Sequence, residues 1–308
     1  MLYRAEAIAS ALAFPGRLSY DVRMNWKKVA VIVWVGATSV VCAQQPTVPD
    51  VADFNFVSAG NYQVLAQDSM DTAWQVNRFM NEMLKQYARY FSNWSLQAGA
   101  RVVVFSNLDD FRAYSTAVVG RLLPHGGLAG YCHLKTDEGG NTFYELVTYV
   151  HDNLWPVLAH EGFHQFLGYE LGQEVPVWLN EGMAQYFETS YVASGRLHTG
   201  IISKPKLRAA QYLIYTHQAP SLRELLQMDR TTFYGNAQVA YPMSWALVYY
   251  LMNRDGTTFR NSSFRRYLQD LKFSGDDIAS FQRRFGRDSA QWQADFERYI
   301  LQLNPQDE

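Results

Sequence analysis

The sequence predicts an α+β protein. Strand-like segments occupy its first half, helical periodicity its second, and the change falls near residue 154. At 48% hydrophobic and 15% aromatic residues, the chain has ample material for a core and is far from a disordered composition. Lys plus Arg (27) nearly balance Asp plus Glu (29), and no long basic block marks a nucleic-acid surface.

The N-terminus reads as a signal-peptide region over 1–43. A basic segment, Met24-Asn-Trp-Lys-Lys28, precedes an uncharged, mostly apolar run from Val29 to Val41. That run is shorter than the roughly 20 residues a membrane-spanning helix needs, but it suits an export signal. Val41-Cys-Ala43 supplies compact residues before Gln44, and Met24 is the better start. A buried strand or a membrane anchor is the alternative. The expectation is an exported protein, periplasmic or extracellular, that is not held in the membrane after cleavage. It would keep one cysteine, Cys132, read as a buried small apolar residue.

Residues 44–153 are expected to form a sheet-containing subdomain. Residues 44–53 are polar and flexible, and Phe54 to Leu65 alternates as a first strand. Trp74, Val76, Phe79, Met80, Met83, Leu84, Tyr87 and Tyr90 recur at helical spacing from Ser69 or Asp71 onward, with Asp71 as a reasonable N-cap. Arg101 to Phe105 is a β-branched strand, and Asp109 or Asp110 opens a short helix carrying Phe111 and Tyr114. A glycine-rich stretch from Gly126 leads into a strand through His133. Asp137 to Asn141 turns the chain, and Thr142 to Val150 returns.

Residues 154–308 form the helical subdomain, with periodic segments near 154–171, 177–193, 204–216, 221–228, 239–253, 263–272 and 288–303. Asp288 or Ser289 caps the last, which carries Trp292, Phe296 and Ile300 on one stripe. The chemistry lies in the first two. In Val157-Leu-Ala-His-Glu-Gly-Phe-His-Gln-Phe-Leu167, His160 and His164 stand one helical turn apart on one face, so both imidazoles reach one ion. Glu161 is rotated about 100° from His160, placed to move a proton beside a metal instead of binding it. The alternative is a core helix with two hydrogen-bonded histidines.

Trp178-Leu-Asn-Glu-Gly-Met-Ala-Gln-Tyr-Phe-Glu188 follows after Gly168 and Gly172, which can end the first helix. A catalytic zinc takes three protein ligands and keeps one open position. Glu181 is the candidate third ligand; otherwise it is a solvated acid near a helix start. In the gluzincin metallopeptidases, which these two segments resemble, a later helix often supplies a tyrosine or histidine to the oxyanion of amide hydrolysis. The resemblance implies Tyr241 as the first candidate, the alternative being a core or rim tyrosine. His217 and Tyr234 follow it. Glu188 can orient a zinc-bound imidazole. His125, His133, His151 and His198 are read as structural or surface residues. The strand Glu145 to Val150 could accept an extended peptide by β-addition.

HEGFH followed by WLNEGMAQYFE resembles the gluzincin metallopeptidases, whose signature is H-E-x-x-H with a downstream glutamate. The wording WLNEG-x-A is similar to the zinc aminopeptidases of that clan and to exported bacterial peptidase MA-like proteins. The resemblance implies one zinc per chain held by His160, His164 and Glu181, with Glu161 as general base. It implies a thermolysin-like core: a small, mostly antiparallel sheet over the HExxH helix, then a mainly helical C-terminal part. Two features depart from the pattern. Sixteen residues lie between His164 and Glu181, slightly fewer than is usual, so the turn between the helices is tighter. There is also no G-x-M-E-N segment, so aminopeptidase specificity does not carry over. The expected activity is zinc-dependent peptide-bond hydrolysis of a peptide or protein. The competing reading is an inactive exported protein that binds peptides or glycans on the same fold. The sequence says nothing of oligomeric state.

Overall fold

The computed structural model describes residues 48–89, 100–119, 128–137, 139–172, 175–193, 195–254, 263–274, 277–285 and 289–304. The signal-peptide region, His125, Gly126 and the Asp288 cap lie outside them.

Five strands form one mixed sheet: β1 (Asn55–Ala59), β2 (Tyr62–Ala66), β3 (Ala100–Phe105), β4 (Gly130–Thr136) and β5 (Thr142–Tyr149), in the order β1-β2-β3-β5-β4. The expected single strand from Phe54 to Leu65 is a hairpin. Gly60, at φ 62°, turns it, and a Cβ there would sit 2.3 Å from Asn81 Oδ1. Two asparagines of helix α1 (Met70–Ala88) hold the turn down. Asn77 Nδ2 donates to the Ala59 and Tyr62 carbonyls, and Asn81 Oδ1 accepts from the Asn61 N–H. The N-cap of α1 is Ser69, whose Oγ accepts from the Thr72 N–H, in place of Asp71.

The sheet is not mostly antiparallel: β2–β3 and β3–β5 are parallel, while β1–β2 and β4–β5 are antiparallel. The reason is topological. A parallel neighbour needs a long crossover, and the 19-residue α1 supplies one between β2 and β3. Helix α2 (Leu108–Val119) and β4 fill the path from β3 to β5. Asn107 starts α2, its Oδ1 accepting from the Asp110 N–H, two residues before the earlier of the two aspartates expected to open it. Strand β5 is thus interior, and the edges of the described sheet are β1 and β4, of which β4 is the neighbour of β5.

Alternate residues send the sheet's two faces into two cores. Val102, Val104 and Leu146 pack with α1 and helix α3 (Leu154–Leu171), while Val103, Phe105 and Val147 pack with Phe111 and Tyr114 of α2. Glu145 shares the α2 face. It accepts from Tyr114 Oη at 2.9 Å and Lys135 Nζ at 3.1 Å, and lies 3.3 Å from His133 Nε2. Burial alone would raise its pKa, but these partners outweigh burial and hold it at about 2, below its ordinary 4.5. Because the folded value is the lower one, this stabilisation is complete above about pH 4.5 and is lost as pH falls toward 2. It amounts to about 3 kcal/mol. Denaturant unfolding of Glu145→Gln beside the parent should show a gap that narrows over that window.

Helix α3 crosses the inner sheet face. Gln165 Nε2 donates to the Arg101 and Tyr144 carbonyls, and Tyr87 Oη donates to the Ala159 carbonyl at 2.7 Å. Gly168 lies within α3 and does not end it; a Cβ there would sit 2.5 Å from the Tyr144 ring. The chain leaves the helix at Gly172, where φ is +72°.

Helix α4 (Val177–Glu188) packs on α3 and stops at Glu188, short of the expected 193. A small hairpin, β6 (Tyr191–Ala193) and β7 (Arg196–His198), takes the remainder. Then come α5 (Lys204–Tyr215), α6 (Leu222–Gln227), α7 (Arg230–Gly235), α8 (Ala237–Asn253), α9 (Ser263–Ser274), α10 (Asp277–Phe285) and α11 (Ser289–Gln302). Helices α7 and α10 were not anticipated. Helix α8 backs α4 so closely that a Cβ on Gly182 would sit 2.6 Å from the Ser244 carbonyl oxygen. Among the described residues no helix is long and apolar enough to cross a membrane.

Candidate active site

Helices α3 and α4 bring His160, His164 and Glu181 together, and their ligand atoms all lie within 4.8 Å of one another. Glu181 Oε2 is 3.5 Å from His160 Nε2 and 3.7 Å from His164 Nε2. These separations are long for hydrogen bonds. They are close to the roughly 3.3 Å between donors that share a tetrahedral ion at about 2.0–2.1 Å. His160 Nε2 and Glu181 Oε2 are buried without a hydrogen-bond partner, a costly state unless another group occupies the space between them. The donor set therefore fits a metal ion.

The remaining ring nitrogens are fixed from behind. His160 Nδ1 lies 3.0 Å from Glu188 Oε2, and His164 Nδ1 lies 2.8 Å from Asn180 Oδ1. Glu188 also pairs with Lys206 from α5. Tyr234 Oη donates to Glu181 Oε1 at 2.8 Å, holding that carboxylate so that Oε2 faces the histidines. This is the arrangement that keeps metal-binding imidazoles in one tautomer and one orientation. The sequence pointed to Glu188; it did not identify Asn180 or Lys206. Asn180 could have been found, since it directly precedes Glu181 and shares its helix.

The electrostatics follow from burial among several charges. Burial opposes a charge on His160, but the carboxylates of Glu181 and Glu188 outweigh it and raise its pKa to about 10. Burial lowers His164 to about 4. Burial is also the main reason that Glu161 is pushed up to about 8; His160 and the Cys132 backbone N–H pull the other way, while Glu181 and Glu188 add to the rise. Glu161 thus reaches the edge strand β4 by one hydrogen bond. Cys132, expected to be buried, is half-buried on β4; burial of its thiol still pushes its pKa up, which leaves it a poor nucleophile.

His160, Glu161 and Tyr241 line a cleft of about 1410 Å³, walled by α1 at Arg78 and Phe79 and by the hairpin at Tyr191. Tyr241 Oη is buried without a hydrogen-bond partner, and burial raises its pKa, so the phenol stays protonated. Tyr234, a lesser candidate for the same role, serves Glu181 instead. His217 is exposed at the end of α5 and does not line the cleft. His133 is buried beside Glu145, His151 packs against Tyr149, and His198 stacks on Tyr191.

Residues 156–269 match the model of a family described as "Protein of unknown function (DUF1570)". That span holds the three candidate ligands, Glu161 and Tyr241. No curated protein matches the chain.

Replacing Glu188 by alanine frees His160 Nδ1 and leaves Lys206 without its carboxylate. Loss of such an orienting partner is expected to weaken metal binding about 10–100-fold, read by competition against a chromophoric chelator. An unchanged affinity would mean that Glu188 serves Lys206 alone.

Proposed function

We propose that the chain is an exported zinc peptidase of the gluzincin kind, built on a thermolysin-like core. The observation that carries the reading is the convergence of His160, His164 and Glu181 on one point, with unpartnered Nε2 and Oε2 atoms, next to a carboxylate that does not take part. Two imidazoles and one carboxylate suit zinc and leave a fourth position for chemistry. Export rests on the sequence of residues 24–43 alone.

Zinc, when bound there, supplies Lewis acidity to a scissile carbonyl and to water. The chain supplies the rest. The cleft, which reaches the start of β4 at Gly130, takes an extended substrate. Glu161 takes a proton from water and later returns it to the leaving amine. The protonated Tyr241 donates to the oxygen on which negative charge develops. Glu188, Asn180 and Tyr234 keep the ligands in place.

The test is cleavage of reduced casein by the zinc-loaded protein, abolished by chelator and restored by added zinc. Cleavage that survives chelation, or that never occurs, would refute the proposal.

A further inference from the structure

Gln185 is neither ligand, base nor oxyanion donor, yet it sits among those residues. It follows Glu181 by one turn on α4, is 1% exposed, and lines the cleft with His160 and Glu188. Neither Oε1 nor Nε2 has a hydrogen-bond partner among the described residues. Other buried carboxamides use at least one end: Asn77 and Gln165 donate to backbone carbonyls, with Gln165 Oε1 left unpartnered, and Asn180 meets His164. A buried amide with both ends unpaired is destabilising, whereas methionine would fill the same space without that cost. Ser190 Oγ, also buried and unpartnered, lines the same cleft. Gln185 and Ser190 therefore place unused hydrogen-bonding groups in the wall of the cleft.

A carboxamide offers one donor and one acceptor side by side, and its closest complement is another amide. We propose that Gln185 is a specificity-determining residue that hydrogen-bonds a main-chain amide of an extended peptide, so that the cleft selects amide backbones over ester or sugar chains. The proposal rests on the peptidase reading and names its substrate class.

The test uses the whole protein, loaded with zinc and carrying Glu161→Gln so that bound peptide survives. The probe is acetyl-penta-alanine amide, beside the same compound with its central alanine replaced by lactate, which removes one N–H. The Gln185 side-chain NH₂ pair is assigned in ¹⁵N spectra by its loss in Gln185→Leu, or in the isosteric Gln185→Glu if the leucine variant misfolds. The expected result is movement of that pair on adding peptide, about tenfold weaker peptide binding in the variant, and a smaller response to the lactate compound. An unmoved pair with unchanged affinity overturns the proposal. Casein cleavage by the parent, followed separately, tells the two readings apart. Cleavage with an indifferent Gln185 sinks this inference alone. A responsive Gln185 in a chain that cuts nothing sinks the peptidase reading alone. Neither response sinks both.

Discussion

Glu161→Gln is expected to lower kcat/KM for peptide cleavage by about 10²–10⁴-fold, the usual contribution of a general base, without loss of zinc. The substitution is close to isosteric. An amide oxygen can still accept from the Cys132 N–H, and the residue is not among the three that converge as ligands. What disappears is the ability to hold and return a proton. Stability should be unchanged or slightly higher, because a neutral amide is cheaper to bury than a carboxylate whose pKa burial already raises. Steady-state kinetics, elemental analysis and thermal melting on one preparation check all three points. An active variant would place the base elsewhere; an inactive variant without zinc would make Glu161 part of the metal site.

Glu181→Ala should have the larger effect on composition. Zinc per chain, measured by elemental mass spectrometry, is expected to fall from near one to near zero. Removing this carboxylate takes away one of three ligands and strands Tyr234 Oη, which now donates to it. An unsatisfied buried hydroxyl costs about 1–3 kcal/mol. The variant should also lose the stabilisation that a bound ion gives the folded state, so its melting temperature should no longer respond to added zinc. Zinc in neither protein after reconstitution would leave a helical scaffold with two core histidines.

Much of this site was legible because it is local. His160, Glu161 and His164 occupy one helical turn, so spacing alone places them, and the interval to Glu181 is short enough for two adjacent helices. The same locality made Glu188 recoverable and Asn180 recoverable in principle. Of what comes from distant chain, Tyr241 was named and lines the cleft, but most was not legible. Lys206 reaches Glu188 from α5, and the Arg78 and Phe79 wall belongs to a helix whose periodicity marks only its core face. Sheet order failed for a related reason. Alternation identifies strands, but parallel pairing depends on where the α1 crossover returns, which no local pattern encodes. Length alone does not explain why α7 and α10 fall outside the periodic segments, since α6 has six residues, as α7 does, and was legible; α6 opens on a Ser221–Glu224 capping box.

Helix α4 has eleven of its twelve residues buried and touches α8 almost backbone to backbone at Gly182. It therefore has no solvent face from which to fray. Its central amides should exchange with solvent only through openings that take much of the core with them. Metal binding at this site would then differ in kind from that of a small metal-nucleated fold, in which ion capture and chain ordering are one event. An ion held by His160, His164 and Glu181 would meet side chains carried on a helix ordered by the core around it, so little affinity would be spent on ordering the chain, and selection among metals would fall to the spacing of three side chains.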